Sequence, residues 1–335
     1  MKKLMSVRFL LIIVLTGMVV FLIGCSKSRD LVKSFPKRIT ELDSYILDAK
    51  LESMFPTGSK ECQVKTYYHK PDLYRVEIES NNVQDKQIII KNKEGVFVLI
   101  PSINKNFKIK SSWPINSSYP YLLQSLSKDI VSDENIVVSK GDKTTTLELK
   151  AKIFDNIDST QKIIFENETG LPKEVLTYDG NKNLISRLLI TNIEINPKLD
   201  EKLFKKEETM ESIRLEYEGT PITFTREITY PTYYPVGTSL QGEVIRGGTL
   251  NKRSVMNFSG ELSYTIIQEY QNATEVVQTT YSDGDLYIMG GTIGIIGKNI
   301  ISFYDNGIEY TIASSSVSIL EMVKMGESLR VDIEK

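Results

Sequence analysis

The chain has 335 residues, of which 41% are hydrophobic and 25% charged, with 20 glycines and 11 prolines; this is the composition of a folded protein and excludes a disordered or collagenous one. Its 41 basic and 43 acidic residues leave a net charge of −2, and a chain without a basic surplus has no footprint for a phosphate backbone, so nucleic acid is excluded as a partner. A single histidine removes nearly all histidine-based metal sites and leaves one imidazole for general-base work, which weighs against an enzyme.

Lys2, Lys3 and Arg8 precede an uncharged run from Phe9 to Ile23, the basic and apolar regions of an export signal covering residues 1–24. Leu22, Ile23, Gly24 and Cys25 then match a bacterial lipobox, in which the thiol receives a diacylglycerol and becomes the mature N-terminus. A spanning helix needs ~20 apolar residues, and this run is shorter. Two acyl chains anchor stably where one binds reversibly. The expected protein is therefore held at the extracytoplasmic face of the cell membrane by Cys25, with residues 25–32 as a tether. Cys62 is then the remaining thiol and has no disulfide partner; it reads as a small buried hydrophobe. Pairing with His69 as a catalytic dyad fails, because an odd separation along one strand puts the two side chains on opposite faces.

From Arg38 to Ala49, the spacing of Ile39, Leu42, Tyr45, Ile46 and Ala49 predicts an amphipathic helix with Pro36 near its start. The period then changes to two: Tyr74, Val76 and Ile78 alternate with Arg75, Glu77 and Glu79, as in a strand with one wet face. Further strands are expected at Gln87 to Lys91, Gly95 to Ile100, Phe107 to Lys110, Thr144 to Lys150, Lys162 to Glu166, Lys173 to Tyr178 and Ser186 to Glu194. Leu122, Leu123, Leu126 and Ile130 form one helical stripe between them. A meander with two amphipathic helices buries both stripes when the sheet curls over them. The fold class is thus α+β, a curved antiparallel half-barrel closed by helices, over residues 33–210. Phe97, Leu99, Leu149 and Phe165 either line an apolar cavity on its concave side or pack as ordinary core.

Lys198 to Glu211 is polar after Phe204 and reads as a solvated boundary segment. A smaller α+β domain follows over residues 211–335, with strands at Leu262 to Tyr270 and Glu275 to Tyr281 and a turn at Asp283-Gly284 into Leu286 to Met289. Asn306-Gly307 marks a hairpin, and a last helix is capped by Ser318 and Glu321 and stopped by Gly326. Gly290, Gly291, Gly294 and Gly297 fit no phosphate-loop frame and read as turn residues. No zinc-protease, serine-hydrolase or lactamase frame is present, and no cofactor is implied. Trp113, Tyr119 and Tyr121, beside Pro114 and Pro120, read either as exposed interface anchors or as a buried lid over the sheet.

Several phrases, in order, resemble a known family. They are Lys70-Pro71-Asp72-Leu73-Tyr74-Arg75-Val76, Asn92-Lys93-Glu94-Gly95-Val96-Phe97-Val98-Leu99-Ile100-Pro101, Glu168-Thr169-Gly170-Leu171-Pro172-Lys173-Glu174-Val175 and Asn192-Ile193-Glu194-Ile195-Asn196-Pro197-Lys198-Leu199-Asp200. Together they resemble the LolA/LolB-like carriers and, more closely, the LolA-like lipoproteins of spore-forming bacteria, the group of YdcC-like sporulation and GerS-like germination lipoproteins. The region from Pro221 looks like the second domain of the YdcC-like members, with Asn306 to Tyr310 and the last helix as its most recognisable part. The resemblance implies a LolA-like fold and a non-enzymatic lipoprotein of sporulation or germination, lying in the space between the forming spore's membranes. Its implied partner is a peptidoglycan amidase of the cortex; the alternative it implies is a lipid ligand held in an apolar cavity. In carriers a basic residue before the first-strand proline helps hold acyl chains. Here that position is Lys70, a point charge rather than the planar fork of arginine. Lys70, Trp113, Tyr119 and Tyr121 are the candidate acyl-chain or partner contacts.

Overall fold

A computed structural model describes residues 30–80, 86–154, 157–217, 224, 227–273 and 277–331. The export signal and Cys25 lie outside the described residues. Among the described residues the α-helices are α1 (Leu31–Glu41), α2 (Leu123–Ser132), α3 (Lys206–Tyr217) and α4 (Ile319–Glu327). The strands of the first half are β1 (Ser44–Phe55), β2 (Gly58–His69), β3 (Leu73–Ser80), β4 (Lys86–Asn92), β5 (Gly95–Ile100), β6 (Lys105–Lys110), β7 (Val137–Lys140), β8 (Thr144–Ile153), β9 (Ile157–Glu166), β10 (Pro172–Tyr178) and β11 (Leu184–Ile195). Those of the second are β12 (Thr229–Pro231), β13 (Thr238–Arg246), β14 (Arg253–Gly260), β15 (Tyr264–Tyr270), β16 (Gln278–Asp283), β17 (Asp285–Met289), β18 (Thr292–Ile296), β19 (Ile300–Asp305), β20 (Ile308–Ala313) and β21 (Leu329–Val331).

The expected curved antiparallel sheet is present and is not closed into a barrel. Twelve strands run in the order β16-β6-β5-β4-β3-β2-β1-β11-β10-β9-β8-β7. Its concave face carries Leu47, Leu51, Val64, Val76, Val98, Leu149, Phe165 and Leu188, all packed in one core with Leu31, Phe35 and Ile39 of α1 and Leu126 and Ile130 of α2.

The first helix lies earlier than its apolar spacing predicts. It spans Leu31–Glu41 and buries Leu31, Phe35, Pro36 and Ile39. The segment Ser44–Phe55 is instead a strand with Tyr45, Leu47, Ala49 and Leu51 inward. Tyr45 and Ala49 are four apart, a spacing that suits one face of a helix and equally one face of a strand.

The convex face is apolar in its middle. Ile88 and Ile90 of β4 and Phe97 and Leu99 of β5 pack against Met210 and Ile213 of α3. Phe97 and Leu99 therefore do not line the concave side with Leu149 and Phe165, because they alternate in register with the inward Val96, Val98 and Ile100. The segment 198–211, expected to be solvated, ends in α3, whose charged face hides a short apolar one. Arg75 on this face is 6% exposed, not wet as alternation suggests. It donates from Nε to Glu77 at 2.7 Å and from Nη1 to the Leu203 carbonyl at 3.0 Å and the Thr209 hydroxyl at 2.6 Å, charge-assisted bonds that hold the guanidinium inside.

The seven-stranded second sheet has the order β13-β14-β15-β20-β19-β18-β17. Asn306 and Gly307 both have positive φ, 49° and 84°, and make the expected tight hairpin between β19 and β20. Gly290 and Gly291, with φ of 56° and 98°, do the same between β17 and β18. Asp283-Gly284 is not a hairpin turn: β16 leaves the second sheet and pairs in parallel with β6, giving the first sheet its last strand. Ser318 accepts from the Glu321 N–H at 3.3 Å and caps α4 as expected. Gly326 lies inside α4 rather than after it, where a Cβ would come within 2.7 Å of Met289 Cε.

The two sheets share side chains. Leu286, Ile288, Ile293 and Ile295 of β17 and β18 belong to the core under the first sheet. Gln87 of β4, 3% exposed, donates to the Tyr304 carbonyl at 2.7 Å and accepts from the Ile293 N–H at 3.0 Å and the Thr292 hydroxyl at 3.1 Å.

Candidate functional site

Two features of the first sheet stand out: an aromatic interior and an uncovered edge. Trp113, Tyr119 and Tyr121 are 1%, 2% and 2% exposed, so they form a buried lid rather than an exposed patch. Their rings continue a row across the concave face, Tyr45–Tyr68 at 5.4 Å, Tyr68–Tyr74 at 5.1 Å, Tyr74–Trp113 at 5.6 Å, Trp113–Tyr119 at 6.0 Å and Tyr119–Tyr121 at 5.9 Å. The Tyr74–Trp113 and Trp113–Tyr119 contacts are edge-on, and ring contacts of this kind add to the area each ring buries. Burial pushes up the hydroxyl pKa values of Tyr45, Tyr74, Tyr119 and Tyr121, so the row is uncharged. Lys70 stands outside it at the rim, half-exposed, with its ammonium 3.8 Å from Asp43. The Tyr68 hydroxyl, inside the row, donates to the neighbouring Pro71 carbonyl at 3.3 Å. The four candidate contacts thus fall into one buried group of three and one exposed cation.

The lid is not fully satisfied. Trp113 Nε1, Asn116 Nδ2, Ser117 Oγ, Tyr121 Oη and Gln124 Nε2 are buried polar atoms without a hydrogen-bond partner among the described residues. The Trp113 N–H faces the Tyr121 hydroxyl, outside bonding geometry. A segment with several unmade bonds is easier to displace than the rest of the core.

The uncovered edge is β7. All four of its residues are exposed, and β8 is its one neighbour in the sheet. Gly141 donates to the Thr144 carbonyl at 2.8 Å, and Ser139 and Val137 face Thr146 and Glu148. Alternation along an antiparallel ladder then points the N–H groups of Val138 and Lys140 away from β8. Val137 and Val138 are 58% and 43% exposed, and Ile115 and Val131 nearby are 68% and 71% exposed. Edges of this kind invite another strand unless they are blunted.

A groove of about 1220 Å³ lies between α2 and the strands β8 and β9, where five lysines, at 128, 150, 152, 162 and 182, face five carboxylates, among them Asp129. Asp129 of α2 is 5% exposed and accepts from Gln161 at 2.8 Å. Burial raises its pKa to about 6, against hydrogen bonds from Ser118 and Gln161 and the charge of Lys128, which lower it. The folded chain keeps this proton up to about pH 6, whereas an unfolded chain releases it near 3.8. Stability from this group is therefore full below 3.8 and is lost as pH rises through 6. Asp129→Asn is expected to raise stability at pH 7 by about 1–3 kcal/mol and to flatten the pH dependence between those limits; urea titrations across the range check it.

Cys62 and His69 lie on opposite faces of β2, as their spacing requires. Cys62 is 1% exposed and burial raises its thiol pKa to about 12, while His69 Nδ1 lies 2.8 Å from the Lys70 carbonyl. No metal-ligating cluster is found among the described residues. Asp129 escaped the sequence reading although it falls three residues after Leu126 and seven after Leu122, on the buried stripe of its own helix; that spacing was the available signal. The β7 edge had none, since four residues with two valines resemble any short strand.

The family model for YdcC-like sporulation proteins matches residues 1–204. Sporulation protein YdcC of Bacillus subtilis (strain 168) is 31% identical over 339 residues, covering 98% of each chain. Among solved structures, a chain of the Pseudomonas aeruginosa MucA/MucB complex is 12% identical with a TM-score of 0.33, covering 90% of this chain and 99% of that one. A putative outer membrane lipoprotein-sorting protein domain from Vibrio parahaemolyticus is 12% identical with a TM-score of 0.35, over 55% of this chain and 98% of its own. A LolA superfamily protein from Nitrosomonas europaea is 12% identical with a TM-score of 0.31, over 54% and 98%. Scores of this size carry nothing further about this chain. A family match over more than half of the sequence, together with full-length identity to a curated member, is decisive: the chain belongs to the YdcC-like family of sporulation proteins.

Proposed function

We propose that this sporulation protein is a membrane-anchored, non-catalytic lipoprotein that docks a peptidoglycan amidase of the spore cortex and supports its action. The observation that carries the reading is the pairing of a filled interior with a bare β7 edge. The concave face is occupied by the chain's own Trp113, Tyr119 and Tyr121, whereas Val137 and Val138 stand exposed on the last strand of the sheet. A protein built this way acts through its surface. Cys25 supplies the diacylglycerol anchor, and no helix among the described residues is long and apolar enough to cross a membrane. The working place is then the extracytoplasmic membrane face, including the space between the two membranes of the forming spore.

The test is affinity capture from sporulating cells with the wild-type chain and with Val138→Pro, which removes an outward N–H and costs no ladder bond. Wild type is expected to recover a wall amidase, and Val138→Pro to recover at least tenfold less while staying membrane-bound and folded. Failure of wild type to recover any wall hydrolase, with normal cortex in a deletion strain, contradicts the reading.

A second reading, a lipid-binding module, is favoured by the unsatisfied polar atoms of the lid. Displacing residues 111–122 uncovers an apolar face fit for acyl chains, with Lys70 at its rim.

A further inference from the structure

The segment that leads from Cys25 into the fold is strongly basic. From Ser26 to Arg38 it carries Lys27, Arg29, Lys33, Lys37 and Arg38, with Asp30 as its one carboxylate. Within α1 the bases divide by face. Leu31, Phe35 and Ile39 turn into the core, and Lys33 and Lys37, about one turn apart, stand on the opposite side of the helix. The Lys33 side chain is 86% exposed and its ammonium lies 3.8 Å from Asp30, which is exposed too. Lys37 is exposed and has no ion pair among the described residues. Arg38 turns the other way and donates to the Thr169 carbonyl at 2.8 Å, where Glu168 lines the same surface hollow. Glu41 ends the helix four residues after Lys37. The carboxylates of this face thus stand at its two ends, and its middle belongs to the lysines.

The place of this charge in the chain gives it a use. Asp30 follows Cys25 by five residues, so a fully extended tether reaches about 18 Å. A bilayer that holds an acylated Cys25 then lies within about two screening lengths of α1 at physiological salt, and Lys27 and Arg29 lie between the two. The bases are also poorly placed for the helix alone. The first turn of α1 has no acidic residue, and Lys33 adds a cation to the positive end of the helix dipole. Asp30 offsets that repulsion at one point, whereas an anionic surface offsets it along the whole segment. None of the apolar residues of α1 is exposed, so the face has no anchor of the kind a protein interface uses. A lipid surface needs the charge only.

We propose that the outer face of α1, through Lys33 and Lys37 and with Lys27 and Arg29 of the tether, lies on anionic lipid headgroups of the membrane that holds Cys25. A basic cluster next to acyl chains strengthens an anchor, and here it also fixes which end of the molecule meets the bilayer. The inference rests on the anchor reading above and names the surface that faces the lipid.

The test uses the mature chain with Cys25→Ser, so that no acyl chain contributes, and vesicles of phosphatidylcholine alone or mixed with phosphatidylglycerol. Flotation at low salt is expected to carry the protein with the anionic vesicles only, and high salt is expected to release it, because the attraction is screened. Lys33→Glu with Lys37→Glu is expected to weaken binding at least tenfold. Both side chains are exposed and Lys33→Glu suits the positive end of the helix, so the loss is not one of folding; circular dichroism checks this. Arg246→Glu with Lys298→Glu, at exposed positions of the second sheet and its turns, changes the net charge equally and is expected to leave binding unchanged. The proposal is overturned if the anionic vesicles do not bind, if the neutral ones bind as well, or if the two pairs of reversals weaken binding alike, which reports net charge rather than a face. Inorganic polyphosphate that binds through Lys33 and Lys37 to a chain indifferent to vesicles gives the face to a soluble polyanion and also overturns it. The anchor reading is tested separately by the mass of the wild-type chain extracted from membranes. A mature chain without a diacylglycerol on Cys25 removes that reading, whereas vesicle failure with an acylated wild type removes this inference alone.

Discussion

Trp113→Ala is expected to destabilise the protein by about 3–5 kcal/mol, the largest effect of any single truncation in the lid. The indole is 1% exposed and is held edge-on between Tyr74 and Tyr119, with centroids at 5.6 and 6.0 Å. Its loss leaves a void that Tyr74 on β3 cannot fill, because a strand is fixed by its ladder, so relaxation falls on the 111–122 segment. A urea midpoint that drops with little change in slope is the expected result. Trp113→Phe keeps a ring in place and is expected to cost about half as much. A loss below 1 kcal/mol for the alanine variant would show that the lid is not part of the core.

Gln87→Leu is expected to cost about 2–4 kcal/mol and to loosen one particular junction. The amide makes three bonds to the second sheet, to the Tyr304 carbonyl, the Ile293 N–H and the Thr292 hydroxyl. Leucine fills a similar volume and leaves the buried Ile293 N–H without its partner, while the Tyr304 carbonyl keeps the Thr292 hydroxyl. Hydrogen exchange at Ile293 is the sharper readout, since that N–H points at Gln87 rather than into its own ladder. Its protection is expected to fall by at least tenfold, while amides in the middle of β1 and β2 keep theirs. Uniform loss of protection throughout the chain would instead mean that the two sheets unfold as one unit.

The curved sheet was legible because most of its strands announce themselves by alternation and by flanking turn residues, as in Lys162 to Glu166 or Lys173 to Tyr178. Where reading failed, a residue pattern had two physical solutions. Tyr45 and Ala49 suit a helix or a strand. The uninterrupted run from Gly95 to Ile100 says that both faces of β5 are covered but not by what; α3 supplies the cover for Phe97 and Leu99, from a segment whose charge density suggested a linker. The parallel pairing of β16 with β6 is a long-range choice without a local signature. Of the candidate contacts, burial of Trp113, Tyr119 and Tyr121 follows from their place between the sheet and α2, and either an anchor or a lid has the same composition. Lys70 stands half-exposed at the rim, whereas the groove between α2 and β8 could not be read at all, since it brings together positions from 115 to 182 along the chain.

The account rests on a half-barrel whose interior belongs to its own side chains. Native mass spectrometry of residues 26–335, purified from a spore-forming host without detergent, tests this most directly. The account predicts one species with the mass of the polypeptide alone, unchanged when Trp113→Phe is introduced. A stoichiometric adduct with the mass of a phospholipid or diacylglycerol, carried through purification, would contradict it and hand the concave face to a lipid ligand.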